Sequence, residues 1–141
     1  MATFFADTSF WIGLSSKRDQ FHHRAVAWYR FAVQTRSTIM TTEAVFLEWL
    51  NALSDVSTRR NAAEGYLRVR ADARIEVVPL QAEWMDSAIL LYRGRADRNW
   101  SLTDCLSFLV MERRGLAEAL TTDHDFEQAG FRANMLNLPS S

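Results

Sequence analysis

The sequence predicts an α/β fold: a three-layer α/β/α sandwich around a central, mostly parallel sheet of four to five strands. Three observations carry this. Short runs of apolar and β-branched residues alternate with longer segments whose apolar residues recur at helical spacing, the pattern of successive βαβ units. Helical segments separate the predicted strands, and parallel pairing needs such crossovers. The chain has 141 residues, 48% apolar and 23% charged, which suits one domain over 1–141 with a real core.

In chain order, Thr3 to Ala6 reads as an apolar strand that stops at Asp7. A helical turn or two follows through Trp11 to Leu14. Phe21 to Val33 is a helix, because Ala25, Trp28, Tyr29 and Ala32 share one face. Thr38 to Thr41 is a second strand, and Thr42 to Leu53 a helix with Phe46, Trp49, Leu50 and Leu53 as its apolar stripe. Arg59 to Arg70 is a helix entered through the cap candidates Ser57 and Thr58. Ile75 to Val78 is a third strand, ended by Pro79, and Ala82 to Arg95 a long helix. A polar loop, Arg95 to Trp100, leads into an apolar helix from Leu102 to Arg114, closed by Gly115. Ala119 to Thr121 is a fourth strand, Asp123 to Gln128 a short helix, and Ala133 to Leu138 a candidate last strand.

Composition narrows the functional classes. No apolar run is long enough to span a bilayer, and no basic segment precedes an apolar one at the N-terminus. The single cysteine, Cys105, cannot form an internal disulfide and suits the cytoplasm. A net charge of −1 argues against a general basic nucleic-acid binder. Yet 15 of the 16 basic residues are Arg, whose planar forks match phosphate oxygens, and Lys17 is the only Lys.

In open parallel sheets, ligands bind beyond the carboxyl ends of the strands. The residues expected there are acidic. Asp7 follows the first strand, Asp123 closely follows the fourth, Glu48 lies in the helix after the second, and Asp104 opens the helix after the polar loop. Converging carboxylates repel one another unless a cation joins them. A hard divalent ion takes oxygen ligands, keeps several waters, and supports phosphodiester hydrolysis. Each acid also has a plainer explanation. Ser101-Leu-Thr-Asp104 fits a capping box, Asp123 and Asp125 fit a capped helix start, and Asp7 fits an N-cap. Glu48, flanked by Phe46, Leu47, Trp49 and Leu50, needs a partner, water, or a raised pKa. Capping accounts for the Asp residues singly, but not for their shared placement at strand-to-helix junctions.

Four motifs then carry a resemblance. Phe5-Ala6-Asp7-Thr8-Ser9-Phe10-Trp11-Ile12 resembles the opening of a PIN domain. Thr41 to Trp49, with its acid at Glu48, resembles the second motif of that family. Trp100 to Phe108 resembles the third, and Leu120 to Phe126 the fourth. The motifs occur in family order over almost the whole chain, with His124 the one unexpected residue. The resemblance implies a PIN-like sandwich and a VapC-type toxin ribonuclease. Such a toxin uses Mg²⁺ or Mn²⁺, is silenced by a small antitoxin protein, and pairs as a homodimer. It maps Asp7, Glu48, Asp104 and Asp123 onto the catalytic, metal-binding acids, with Asp125 as a further acid.

Thr8, Ser9 and Thr122 adjoin these acids and either support them or cap helices. Arg93, Arg95 and Arg98 are candidate RNA contacts because their loop precedes Asp104, and Asp97 is a further acid in that loop. Trp100 is the tryptophan expected to be exposed. His22, His23 and His124 lack zinc-site spacing, and Cys105 reads as core. Two rivals are an inactive PIN-like binding module and a receiver-like signalling domain. The second expects a Lys after a late strand, which this chain lacks.

Overall fold

The computed structural model describes residues 2–140. Five strands form one sheet: β1 (Thr3–Ala6), β2 (Thr38–Thr42), β3 (Ile75–Val78), β4 (Glu118–Leu120) and β5 (Arg132–Ala133). Their order is β3-β2-β1-β4-β5, and every pairing is parallel. Among the described residues, seven α-helices supply the crossovers: α1 (Thr8–Ser15), α2 (His22–Gln34), α3 (Glu43–Ala52), α4 (Arg59–Ala71), α5 (Ala82–Gly94), α6 (Leu102–Arg114) and α7 (His124–Gln128). None is long and apolar enough to cross a membrane.

The chain first builds outward on one side of β1, through β2 to β3. It then returns to place β4 on the other side. The order therefore reverses between β1 and β4, and this switch point is where open α/β sheets place a ligand crevice. Phe5 lies opposite Ala119 and Ala6 opposite Leu120, so the residues that follow, Asp7 and Thr121, emerge side by side.

The centre of the sheet is held by aromatic and aliphatic contact. Phe4, Phe5 and Ala6 are buried, as expected of a strand covered on both faces. Trp11 stacks on Trp49 at 5.6 Å and meets Phe46 at 5.9 Å, tying α1 to α3. Phe126 packs against Phe5 and Phe108, at 6.4 and 4.8 Å, tying α7 to β1 and α6. Gly13 lets α1 approach α2 closely, since a Cβ there would meet Ala25 Cβ at 2.9 Å.

Several expectations require correction. The segment from Ala133 to Leu138 is not a strand: β5 ends at Ala133 and Asn134–Leu136 form a 3₁₀ turn. That turn carries Met135 into the core. Neither Ser57 nor Thr58 caps α4: the Ser57 hydroxyl donates to Asp55, and Thr58 donates back to Leu53 O at 3.0 Å. Trp100 is buried, with 7% of its surface exposed, because it packs edge-on against Phe108 at 4.9 Å. Gly115 does end α6 in the left-handed conformation, at φ 67°.

Candidate active site

Asp7 leaves the end of β1 and opens α1. It is 5% exposed, and its carboxylate does not cap the helix. Its Oδ2 instead accepts the Thr121 hydroxyl at 2.9 Å. Burial is the main cause that pushes the Asp7 carboxyl up from 3.8 to about 7. The Thr8 amide and the Thr121 hydroxyl offset part of that push, and the nearby charges of Asp104 and Glu48 add to it.

Asp104 is the third residue of α6, and it both caps and faces the acid cluster. Ser101 Oγ accepts from the Asp104 amide at 3.0 Å, and Asp104 Oδ2 accepts from the Ser101 amide at 3.2 Å. The capping box is therefore present, and it fixes the carboxylate in position. Burial raises the Asp104 carboxyl to about 6, and the charges of Asp123 and Asp125 add to the rise.

Asp123 is the N-cap of α7, with Oδ1 accepting from the Asp125 amide at 2.8 Å. Its own amide donates to Thr121 Oγ1 at 3.0 Å. One carboxylate oxygen from each of Asp7, Asp104 and Asp123 lies within 4.8 Å of the others. Among the described residues, no ion pair involves any of the three. Three buried or half-buried carboxylates without a basic neighbour are costly unless a cation completes them. The donor set is all oxygen, so a hard divalent metal fits this triad.

Glu48 is not part of that triad. It is half-buried on α3, next to the exposed Leu47, rather than enclosed by its apolar neighbours. Its Oε1 accepts the Thr8 hydroxyl at 2.6 Å, which supplies the partner its surroundings call for. Asp125 lies in the first turn of α7, its carboxyl raised by burial and by Asp123. Asp97 is exposed and stays with Arg95 and Arg98 in the loop. His22 Nδ1 contacts Gly13 O, His124 contacts Glu127, and Cys105 is buried.

Sequence reading missed Thr121. This fully buried hydroxyl donates to Asp7, accepts the Asp123 amide, and receives Ser9 Oγ at 3.3 Å. It thus couples the acid after β1 to the acid after β4. Thr122, the residue expected there, contributes its backbone amide to Ser9 Oγ at 3.1 Å. Ending β4 one residue earlier would have drawn attention to Thr121. Thr121→Val removes the hydroxyl, and we expect Mn²⁺ affinity to fall about 10- to 100-fold, as for lost groups that orient metal ligands. Thr121→Ser should recover it. Undiminished affinity in the folded Val variant would leave the hydroxyl a packing role alone.

A parallel α/β sheet with three acids free of ion pairs gathered at its switch point defines an α/β domain whose carboxyl edge could hold a metal ion. More specifically, the chain belongs to the PIN domain family, whose description matches residues 4–132. It is 30% identical over 127 residues to the 23S rRNA-specific endonuclease VapC20 of Mycobacterium tuberculosis, covering 90% of this chain and 94% of that protein. The crystal structure of M. tuberculosis VapC20, described as a sarcin–ricin loop cleaving toxin, superposes with a TM-score of 0.81 at 27% identity. It covers 93% of this chain and 98% of that one. VapBC2 from Rickettsia felis, bound to a DNA fragment from its promoter, shares the fold at TM-score 0.67 and 12% identity. That match covers 94% of this chain and 96% of the other.

Proposed function

We propose that this protein is a divalent-metal-dependent endoribonuclease, the toxin of a toxin–antitoxin pair, and that it cuts a structured ribosomal RNA loop. The observation that carries this reading is the triad of Asp7, Asp104 and Asp123, whose oxygens lie within 4.8 Å of one another. Similarity to VapC20 along nearly the whole chain supports the RNA substrate.

In this reading Asp7, Asp104 and Asp123 hold Mg²⁺ or Mn²⁺. The bound ion supplies Lewis-acid activation of water and of the phosphate. Thr121 and the Ser101 capping box keep the three carboxylates aimed at one point. Glu48 is pinned at Oε1 by Thr8, and its Oε2 receives the proton of the attacking water. Hydrolysis then adds water across one P–O bond, and the leaving oxygen is protonated from solvent. Asp125 shapes the rim of the site. An inactive binding module would have no use for a buried triad that weakens the metal-free fold.

The same reading includes an antitoxin and a second copy of the chain. Leu47 and Leu67 on α3 and α4, and Ile89, Leu90 and Tyr92 on α5, are 45–64% exposed. A groove of about 300 Å³ runs beside Glu48 between Leu47, Leu80, Met85 and Leu106. An amphipathic antitoxin helix fits such a groove and can extend a basic side chain toward the acids.

The test is cleavage of ribosomal RNA, or of an RNA oligonucleotide carrying the sarcin–ricin loop, by purified protein with Mg²⁺ or Mn²⁺. We expect one dominant cut that chelation by EDTA abolishes. RNA left intact with either metal would overturn the reading.

A further inference from the structure

We propose that the loop between α5 and α6 is a phosphate-docking platform for the RNA, with Arg98 as the contact and an Arg95–Asp97–Trp100 brace holding it in place. This rests on the ribonuclease reading and assigns that site a substrate-positioning residue.

The loop is braced by its own side chains. Arg95 forms a two-pronged pair with Asp97, Nε to Oδ1 at 3.0 Å and Nη2 to Oδ2 at 3.1 Å. The same guanidinium lies 4.8 Å above the Trp100 ring. Trp100 is wedged edge-on against Phe108, which in turn meets Phe126. The loop is thereby locked to α6 and α7, the two helices that carry Asp104 and Asp123 at their starts. A polar loop of charged residues on water alone would not hold a fixed position beside a reactive site.

Within this frame the two arginines differ. Arg95 spends its fork on Asp97 and its face on Trp100. Arg98 touches Asp97 only at 3.8 Å, beyond a good charge-assisted hydrogen bond, and its side chain is 36% exposed. Its amide donates to Arg95 O at 3.1 Å, which sets where its side chain starts. Arg98 stands six residues before Asp104, on the stretch of chain that leads directly into α6. Arg98 is therefore a largely uncommitted fork on a fixed loop at the edge of the acids. A fork in that position matches a backbone phosphate next to the one being cut. Arg93, exposed in the last turn of α5, lies outside the brace.

The experiment measures affinity of the loop RNA over a range of salt, in the Asp7→Asn background with Mg²⁺ so that the RNA stays intact. Arg98→Gln should weaken binding several-fold and reduce the slope of log affinity against log salt by about 0.7, the value of one single-strand phosphate contact. Arg60→Gln, at an 89% exposed side chain on α4, should change neither. Equal affinity and slope for Arg98→Gln, or equal losses for both variants, would overturn the platform. Absence of RNA binding by the background protein would instead remove the ribonuclease reading beneath it.

Discussion

Asp7→Asn is expected to lose RNA cleavage by at least about 10²-fold and, in chelator at about pH 8, to melt at a higher temperature than the unsubstituted protein. The two effects share one cause. Folding takes the Asp7 carboxyl from 3.8 to about 7, chiefly by burial. Above that pH the metal-free fold must keep a buried charge, at a penalty of about 4 kcal/mol. Asn keeps the acceptor for the Thr121 hydroxyl and removes the charge. For a chain of this size the gain corresponds to a rise on the order of 10 °C. The sign follows from proton counting. Between about pH 4 and 7 the folded chain holds a proton on Asp7 that the unfolded chain has released, so stability falls as pH rises through that window. The advantage of Asn should thus shrink toward zero near pH 4. A variant that is inactive and also less stable at high pH would assign Asp7 to structure rather than to metal binding.

The same burial explains which parts of the site were legible in the sequence. Asp7 and Asp123 could be placed because strand ends are marked by abrupt changes from apolar to polar residues. Asp104 could be placed because a capping box announces a helix start, and in this fold the cap and one acid of the triad are the same residue. Thr121 escaped notice because a buried threonine at the end of a strand looks like any β-former. Only the register of β1 with β4 sets its hydroxyl beside Asp7. Glu48 was legible as an anomaly and Thr8 as a hydroxyl able to support an acid, but not that the two meet across 40 residues.

Misreadings elsewhere have equally local causes. Trp100 lies in a polar loop, yet one aromatic edge from Phe108 and an arginine cover are enough to bury it. Asn134 breaks the apparent last strand because the chain must turn to seat Met135 in the core. Long helices with regular apolar stripes were read within about a residue or two at each end, where caps and fraying blur any boundary. Tertiary contacts decided the short or polar segments, and a single sequence does not display those.

Divalent metal should offset much of the loss of stability that rising pH causes. Ligation needs ionised carboxylates, so the metal competes with the protons that burial holds on Asp7 and Asp104, raised to about 7 and about 6. At about pH 8 both groups are already ionised and mutually repelling, and Mn²⁺ at a hundredfold excess over its dissociation constant should stabilise the fold by about 2.7 kcal/mol. At about pH 5.5 the same concentration should raise the melting temperature much less, because protons must first leave. Calorimetry in buffers of different ionisation heat should show proton release on Mn²⁺ binding near pH 6.5, fading above pH 8. Activity should follow, rising with pH through the window in which Asp104 and then Asp7 lose their protons. A stabilisation by Mn²⁺ that is equal at both pH values, with no protons released, would place the ion somewhere other than on these acids. The metal would then be doing something other than relieving the charge that folding concentrates at the end of β1.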